Sequence, residues 1–118
     1  MLHKKKPSQH IDLSIVIPAL REEKRIGKTL DELADFITSD PLMKTLRVEV
    51  IVVAAEGGDK TVQVVQTKQK KFSHLLILEP GPVVGKGRDV RFGILRAKGA
   101  AVMFMDADLA TPLKHMPK

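Results

Sequence analysis

Asp106 and Asp108 stand two residues apart at the end of an apolar run, Ala101 to Met105, inside the stretch AAVMFMDADLATP (100–112). Two hard oxygen donors at that spacing suit a magnesium or manganese ion, which favours carboxylates and keeps positions for water or substrate phosphate. The same pair would also serve as a solvated acidic turn after a strand, because D-x-D is short and common. A second segment with chemical potential is VGKGR (84–88), where glycines alternate with Lys86 and Arg88. If this loop opens a helix, free backbone N–H groups and two cations converge on one point and attract phosphate. The plain alternative is a turn carrying solvated cations. The dinucleotide fingerprint does not apply, since Val90 stands where its third glycine would be and the loop follows a third strand, not a first. Nor does Gly-Lys-Ser/Thr occur anywhere in the chain.

Other reactive residue types are less organised. His3, His10, His74 and His115 are scattered, with no i, i+4 pair to hold a metal. His74 reads as structural at the start of a strand, and His115 as a surface residue. Met103 and Met105 alternate along a strand and read as core filler. Glu22 and Glu23 charge the start of a helix, with one of them placed to face a cleft. There is no cysteine, which excludes disulfides, zinc–thiolate sites and a cysteine nucleophile.

The elements that must position these residues follow from periodicity. Ile11–Ile17 is a β-branched run ended by Pro18, a first strand. From Glu22 to about Ser39, apolar residues at Ile26, Leu30, Leu33, Ala34 and Ile37 form the stripe of an amphipathic helix, closed by Asp40-Pro41. Arg47–Ala55 is a second strand. Glu56-Gly57-Gly58 turns the chain, and Asp59 is placed to cap a surface helix running to about Lys71, whose apolar face (Val62, Val65) is thin. His74–Leu78 is a third strand, followed by Glu79-Pro80-Gly81-Pro82. A helix over about Arg88–Lys98 turns Val90, Gly93, Ile94 and Ala97 to one side, with Gly99 as its C-cap. Ala101–Met105 is a fourth strand, expected to be buried on both faces.

This β-α-β-α-β-α-β alternation predicts an α/β fold, a mostly parallel sheet with helices on both faces. The carboxyl ends of the strands then share one edge, where open α/β sheets bind ligands. That edge collects Pro18–Glu22, Ala54–Asp59, Glu79–Arg88 and Asp106–Thr111, the most polar and glycine-rich segments of the chain.

Composition sets the remaining bounds. The 118 residues allow one small domain, 11–118, preceded by a basic arm at 1–10. Hydrophobic residues make up 43% and charged residues 29%, as in folded globular chains. The only aromatic residues are four Phe, so Val, Ile, Leu and Met must fill the core. The net charge of +6 fits phosphate-rich ligands, an anionic membrane surface or nucleic acid without choosing among them. No apolar run approaches the roughly 18 residues of a membrane span. The N-terminal basic cluster lacks a cleavage site and an uninterrupted apolar segment, so no signal peptide is expected.

The segment IVIPALREEKRIGKTL (15–30) resembles the opening of family 2 glycosyltransferases, where a strand ends in a V-I-P-A-Y-N-E-E type motif. GKGRDVRFGILRAKGAAVMFMDADLATP (85–112) resembles their next block, a G-K-G-x-x-V-R-x-G-I-x-x-A-x-G segment leading into D-x-D, in the version most like polyprenyl- and dolichyl-phosphate glucosyl- and mannosyltransferases. The resemblance implies the GT-A fold, a Rossmann-like nucleotide-sugar domain, and inverting transfer of a hexose from a UDP- or GDP-sugar with Mg2+ or Mn2+. Carried onto this chain, it implies that Pro18, Ala19 and Glu22 line the nucleotide pocket and that Lys86 lies near the diphosphate. Asp106 would face the ribose, or the metal through water, and Asp108 would bind the metal directly.

The chain departs from the pattern where Leu20 and Arg21 replace the common Tyr-Asn. Ala54-Ala55 replaces the Asp pair that contacts the base, with Glu56 or Asp59 as partial substitutes. Family catalytic domains are longer, so the resemblance covers only the nucleotide-sugar-binding half, an apparently truncated domain. The expected activity is hexosyl transfer to an acceptor such as a polyprenyl phosphate, in the cytoplasm or peripherally at a membrane. The alternatives are a nucleotide-sugar-binding fragment without turnover and, ranked lower for want of stacking aromatics, a basic nucleic-acid-binding module.

Overall fold

A computed structural model describes residues 10–54, 60–79 and 86–107, with the side chains of 86–89 excepted. Four strands, β1 (Leu13–Pro18), β2 (Val48–Val53), β3 (Leu75–Leu78) and β4 (Ala101–Phe104), form one sheet in the order β3-β2-β1-β4. All three pairings are parallel. Three α-helices connect them: α1 (Ile26–Ser39), α2 (Thr61–Thr67) and α3 (Lys86–Arg96). Single 3-10 turns at Met43–Thr45 and Gln69–Lys71 lead into β2 and β3. The expected parallel α/β architecture is therefore present.

The strand order follows from crossover handedness. From β1 to β3 the chain steps one way across the sheet, which puts α1 and α2 on one face; the step back from β3 to β4 puts α3 on the other. Alternation along β1 splits the core accordingly. Ile15 and Ile17 pack with Val50, Val52, Ile26, Leu30, Leu33 and Val65 on the α1–α2 face. Val16 packs with Ile51, Val53, Phe92 and Ala97 on the α3 face. β1 and β2 lie in the middle and are buried on both faces, which explains their near-continuous β-branched sequences.

Several boundaries differ from the expectation for identifiable reasons. α1 begins at Ile26 and not at Glu22, because residues 23–25 form a turn, closed by the Arg25 and Ile26 N–H groups donating to the Glu22 carbonyl. Glu22 and Glu23 consequently lie before the helix and not in its first turn. The end of α1 is as expected: Asp40 adopts extended geometry before Pro41, and its carboxylate accepts the N–H groups of Leu42 and Met43 at 3.1 and 3.0 Å. α2 stops at Thr67 and tightens into the 3-10 turn, and the Asp59 cap lies outside the described residues.

α3 begins two residues earlier than expected and ends at Arg96, so Gly99 does not cap it. The glycine is needed instead for close approach: a Cβ there would lie 2.6 Å from the backbone N of Ser14. Ile94 is exposed, and Phe92 takes its place against the sheet. β4 is not buried on both faces. It lies at the end of the described sheet, where α3 covers β1 and β2 but leaves Val102 and Phe104 39% and 58% exposed. Met103 and Met105 do pack on the core, from the other face.

Two polar anchors tie the lower ends of the strands together. Glu49, buried on β2, accepts the Ser14 hydroxyl at 2.5 Å and the Lys98 N–H at 2.7 Å, while the Gly99 N–H donates to Ser14 Oγ at 2.8 Å. This network fastens the α3–β4 connection beneath β1 and β2. Asp12 accepts the Arg47 N–H at 2.8 Å, and that backbone hydrogen bond holds its carboxyl below the usual range.

Candidate functional site at the carboxyl edge of the sheet

The register brings the strand tips level. Pro18 pairs with Val53, Val53 with Leu78, and Val16 with Phe104. The direction of winding reverses between β1 and β4, and the crevice outside such a switch point is where open α/β sheets accept ligands. The segments after β1 and β4, Ala19–Arg25 and Met105–Ala107, are thus neighbours by topology.

On the β1 side, Pro18 is the last strand residue, placed where its missing N–H interrupts no further pairing. Ala19 is buried and donates its N–H to the Val53 carbonyl at 2.9 Å. Leu20 is exposed, and Arg21 adopts a left-handed φ of 53°, which turns the chain sharply out of the sheet. Such a φ is uncommon for arginine and readily tolerated by asparagine, the residue common at this place in the resembling family.

The loop is then clamped to the start of α2. The Glu22 N–H donates to Thr61 Oγ1 at 3.0 Å, and Glu23 Oε1 accepts the Lys60 N–H at 3.0 Å. The half-buried Glu22 carboxylate lies 3.8 Å from Arg25 NH1, and Arg21–Arg25 line a shallow concavity. Glu22 and Glu23 both line this concavity, and Glu23 also fastens the loop to the start of α2.

On the β4 side, the Met105 N–H continues the ladder to the Val16 carbonyl at 3.1 Å. Asp106 follows and is exposed, and Ala107 turns back into the α1-side core. The Ala107 carbonyl accepts the hydroxyl of Thr29, a buried residue of α1. Asp108 lies outside the described residues. Among the described residues no group of three or more His, Cys, Asp or Glu side chains is gathered. The donor offered at the described β4 tip is the exposed Asp106 carboxylate, and that chemistry fits a hard cation keeping water and phosphate ligands.

Lys86 opens α3. Because α3 ends near Ser14 and Glu49 at the lower end of the sheet, its N-terminus lies at the edge of the strand tips. The Lys86 side chain and Gly85 lie outside what is described. Of the sequence-predicted residues, Pro18, Ala19, Glu22 and Asp106 are thus placed on the switch-point edge, with the backbone of Lys86 at the same edge. Thr29 and Thr61 lie outside the residues that the sequence points to. Thr29 lies three residues after Ile26 on the apolar stripe of α1, and a hydroxyl in such a stripe is the available signal.

Comparison with known proteins agrees with this fold. A family model described as glycosyl transferase family 2 matches residues 14–118. A dolichyl-phosphate beta-glucosyltransferase of Trichomonas vaginalis, ALG5A, is 35% identical over 102 residues, 86% of this chain and 32% of the relative. The dolichyl-phosphate beta-glucosyltransferase of Drosophila melanogaster is 37% identical over 114 residues, 94% of this chain and 35% of its own. The chain thus spans about a third of the length of these curated relatives. Among solved structures, S. aureus TarS 1-349 in complex with UDP has a TM-score of 0.71 at 29% identity, covering 83% of this chain and 28% of that one. The mannosyltransferase PcManGT from Pyrobaculum calidifontis, in complex with GDP-Man and Mn2+, shares the fold with a TM-score of 0.70 at 22% identity, over 90% of this chain and 34% of its own. The sheet is accordingly of the Rossmann-like GT-A type. With nearly all of its length from Ser14 onward matching that family, the chain belongs to glycosyl transferase family 2.

Proposed function

We propose that residues 11–118 form the nucleotide-sugar-binding half of a hexosyltransferase that uses a UDP- or GDP-hexose, with a polyprenyl phosphate as the acceptor. The observation that supports this reading is the place of Asp106 after β4, which the strand order puts beside β1 and the Pro18–Glu22 segment. Pro18 and Ala19 would line the nucleotide pocket, and Glu22 would offer a hydrogen-bond acceptor at its rim. Lys86 and the N-terminal N–H groups of α3 attract the diphosphate. Asp106 and Asp108 would hold Mg2+ or Mn2+, with Asp108 as the direct ligand and Asp106 facing the ribose or the ion through water. A divalent ion bound there supplies charge neutralisation for the departing nucleoside diphosphate. An anionic lipid phosphate is already a nucleophile and requires no general base from this half.

Peripheral action at a membrane fits such an acceptor. Among the described residues no helix is long and apolar enough to cross a membrane. Lys4–Lys6 could add attraction to an anionic surface at about 1 kcal/mol per charge. A second reading, nucleotide-sugar binding without turnover, is separated from the first by the same titration.

The test is titration of the 118-residue chain with UDP, GDP and a single-stranded oligonucleotide, with and without Mn2+. Metal-dependent nucleotide binding that is lost in Asp108→Ala supports the site. Steeply salt-dependent oligonucleotide binding with no response to nucleotide overturns it. Nucleotide binding without hexose transfer to a polyprenyl phosphate selects the second reading.

A further inference from the structure

We infer that Thr29 is a positioning residue for Asp106, acting through the carbonyl of the next residue, Ala107. This rests on the reading of Asp106 as part of a cation site. Thr29 and Ala107 are each 2% exposed, and they join α1 to the end of β4 across 78 residues of sequence.

The geometry explains why this contact matters more than one hydrogen bond usually does. Met105 is tied on one side of Asp106 by its N–H to the Val16 carbonyl. On the other side of Asp106, the Ala107 carbonyl is held by the Thr29 hydroxyl. Holding that oxygen together with the Met105 N–H therefore fixes the backbone on both sides of Asp106. The small Ala107 side chain, seated in the α1-side core, allows the carbonyl to come close to α1. Thr29 is itself fixed, since it lies in the first turn of α1 with its N–H on the Arg25 carbonyl at 3.0 Å. Its hydroxyl thus ties the acidic segment to the same helix that follows the Glu22 loop, coupling the two banks of the crevice.

The discriminating variants are Thr29→Val, which keeps the branched shape and removes the hydroxyl, and Thr29→Ser, which keeps the hydroxyl. UDP affinity is measured with and without Mn2+, and amide hydrogen exchange is followed across the β4 tip without metal. Thr29→Val should reduce the Mn2+-dependent gain in UDP affinity about tenfold while leaving metal-free UDP affinity within about twofold, since a lost buried hydrogen bond acts only on the segment it held. It should also speed exchange after Phe104. Thr29→Ser should restore both. A wild-type Mn2+ gain in Thr29→Val overturns the inference. If the wild-type chain shows no Mn2+ gain, the cation reading fails, and exchange alone decides the role of Thr29: acceleration in the valine variant sustains the anchor, and unchanged exchange removes it. Thr29→Ala carries the same expectations should the valine variant fail to fold.

Discussion

Gly93 is where helix α3 meets the sheet most closely, and its replacement by alanine gives a quantitative test of that packing. A Cβ built there lies 2.5 Å from Val16 Cγ1 and 3.0 Å from Val53 Cγ2. Both valines are fully buried, on the two central strands, and cannot turn away without striking their neighbours. The added methyl must therefore push α3 outward by an appreciable part of a van der Waals contact. Overpacking of this kind costs about 1–3 kcal/mol. Alanine recovers up to about 1 kcal/mol of helix propensity relative to glycine, which offsets part of the loss. A net destabilisation of about 1–2 kcal/mol is expected, read by urea denaturation as a lower midpoint with an unchanged slope. The companion variant Val16→Ala opens the space that the new methyl needs. The double variant should consequently lose less stability than the sum of the singles. Because α3 carries Lys86 at its far end, Gly93→Ala should also weaken UDP binding. Full stability in Gly93→Ala, or strict additivity with Val16→Ala, would refute the close helix–sheet contact.

Three further outcomes can be checked with the same methods. Glu49→Ala strands the Ser14 hydroxyl and the Lys98 N–H without their acceptor, and should cost about 2–4 kcal/mol in urea denaturation. Arg21→Asn relieves a left-handed backbone carried by an arginine and should raise stability by about 0.5–1 kcal/mol in the same assay. Asp31 is held below the usual carboxylate range by hydrogen bonds from Lys68 and then Lys71. A depressed folded value means that its contribution is present at neutral pH and lost as the pH falls through that value, below about pH 4. The urea midpoints of wild type and Asp31→Asn should therefore differ at pH 7, converge in acid, and converge also at high salt, where partly exposed pairs are screened.

The fold was legible in the sequence because its central strands are extreme cases. The runs around Ile15 and Ile51 are apolar at every second and nearly every intervening position, which only a strand covered on both faces requires. The stripe of α1 was equally plain. What periodicity could not supply was spatial order. Nothing in Ala101–Met105 distinguishes a central strand from one at the end of the described sheet, so the exposure of Val102 and Phe104 came from topology alone. The start of α1 was misplaced because Glu22 and Glu23 look like favourable first-turn acids; their backbone and side chain are engaged by Thr61 and Lys60, and contacts 37 and 39 residues away leave no local trace. Gly99 likewise has the appearance of a helix stop, while its real constraint is the approach of Ser14. At the site, residue types announced the carboxylates, but the hydroxyl that holds the backbone after Asp106 lies far upstream in the chain.

The central place of β1 has a consequence for the order of assembly. Leu13 meets Val48 on one side and Ala101 on the other, so the second pairing closes more than twice the length of chain that the first does. Loop closure grows costlier with length, and distant pairings slow folding. Loop closure thus favours gathering the β3-β2-β1 triplet before β4 docks beside β1. A chain interrupted before Ala101 would still have a nucleus to fold around, yet it would possess only one bank of the crevice.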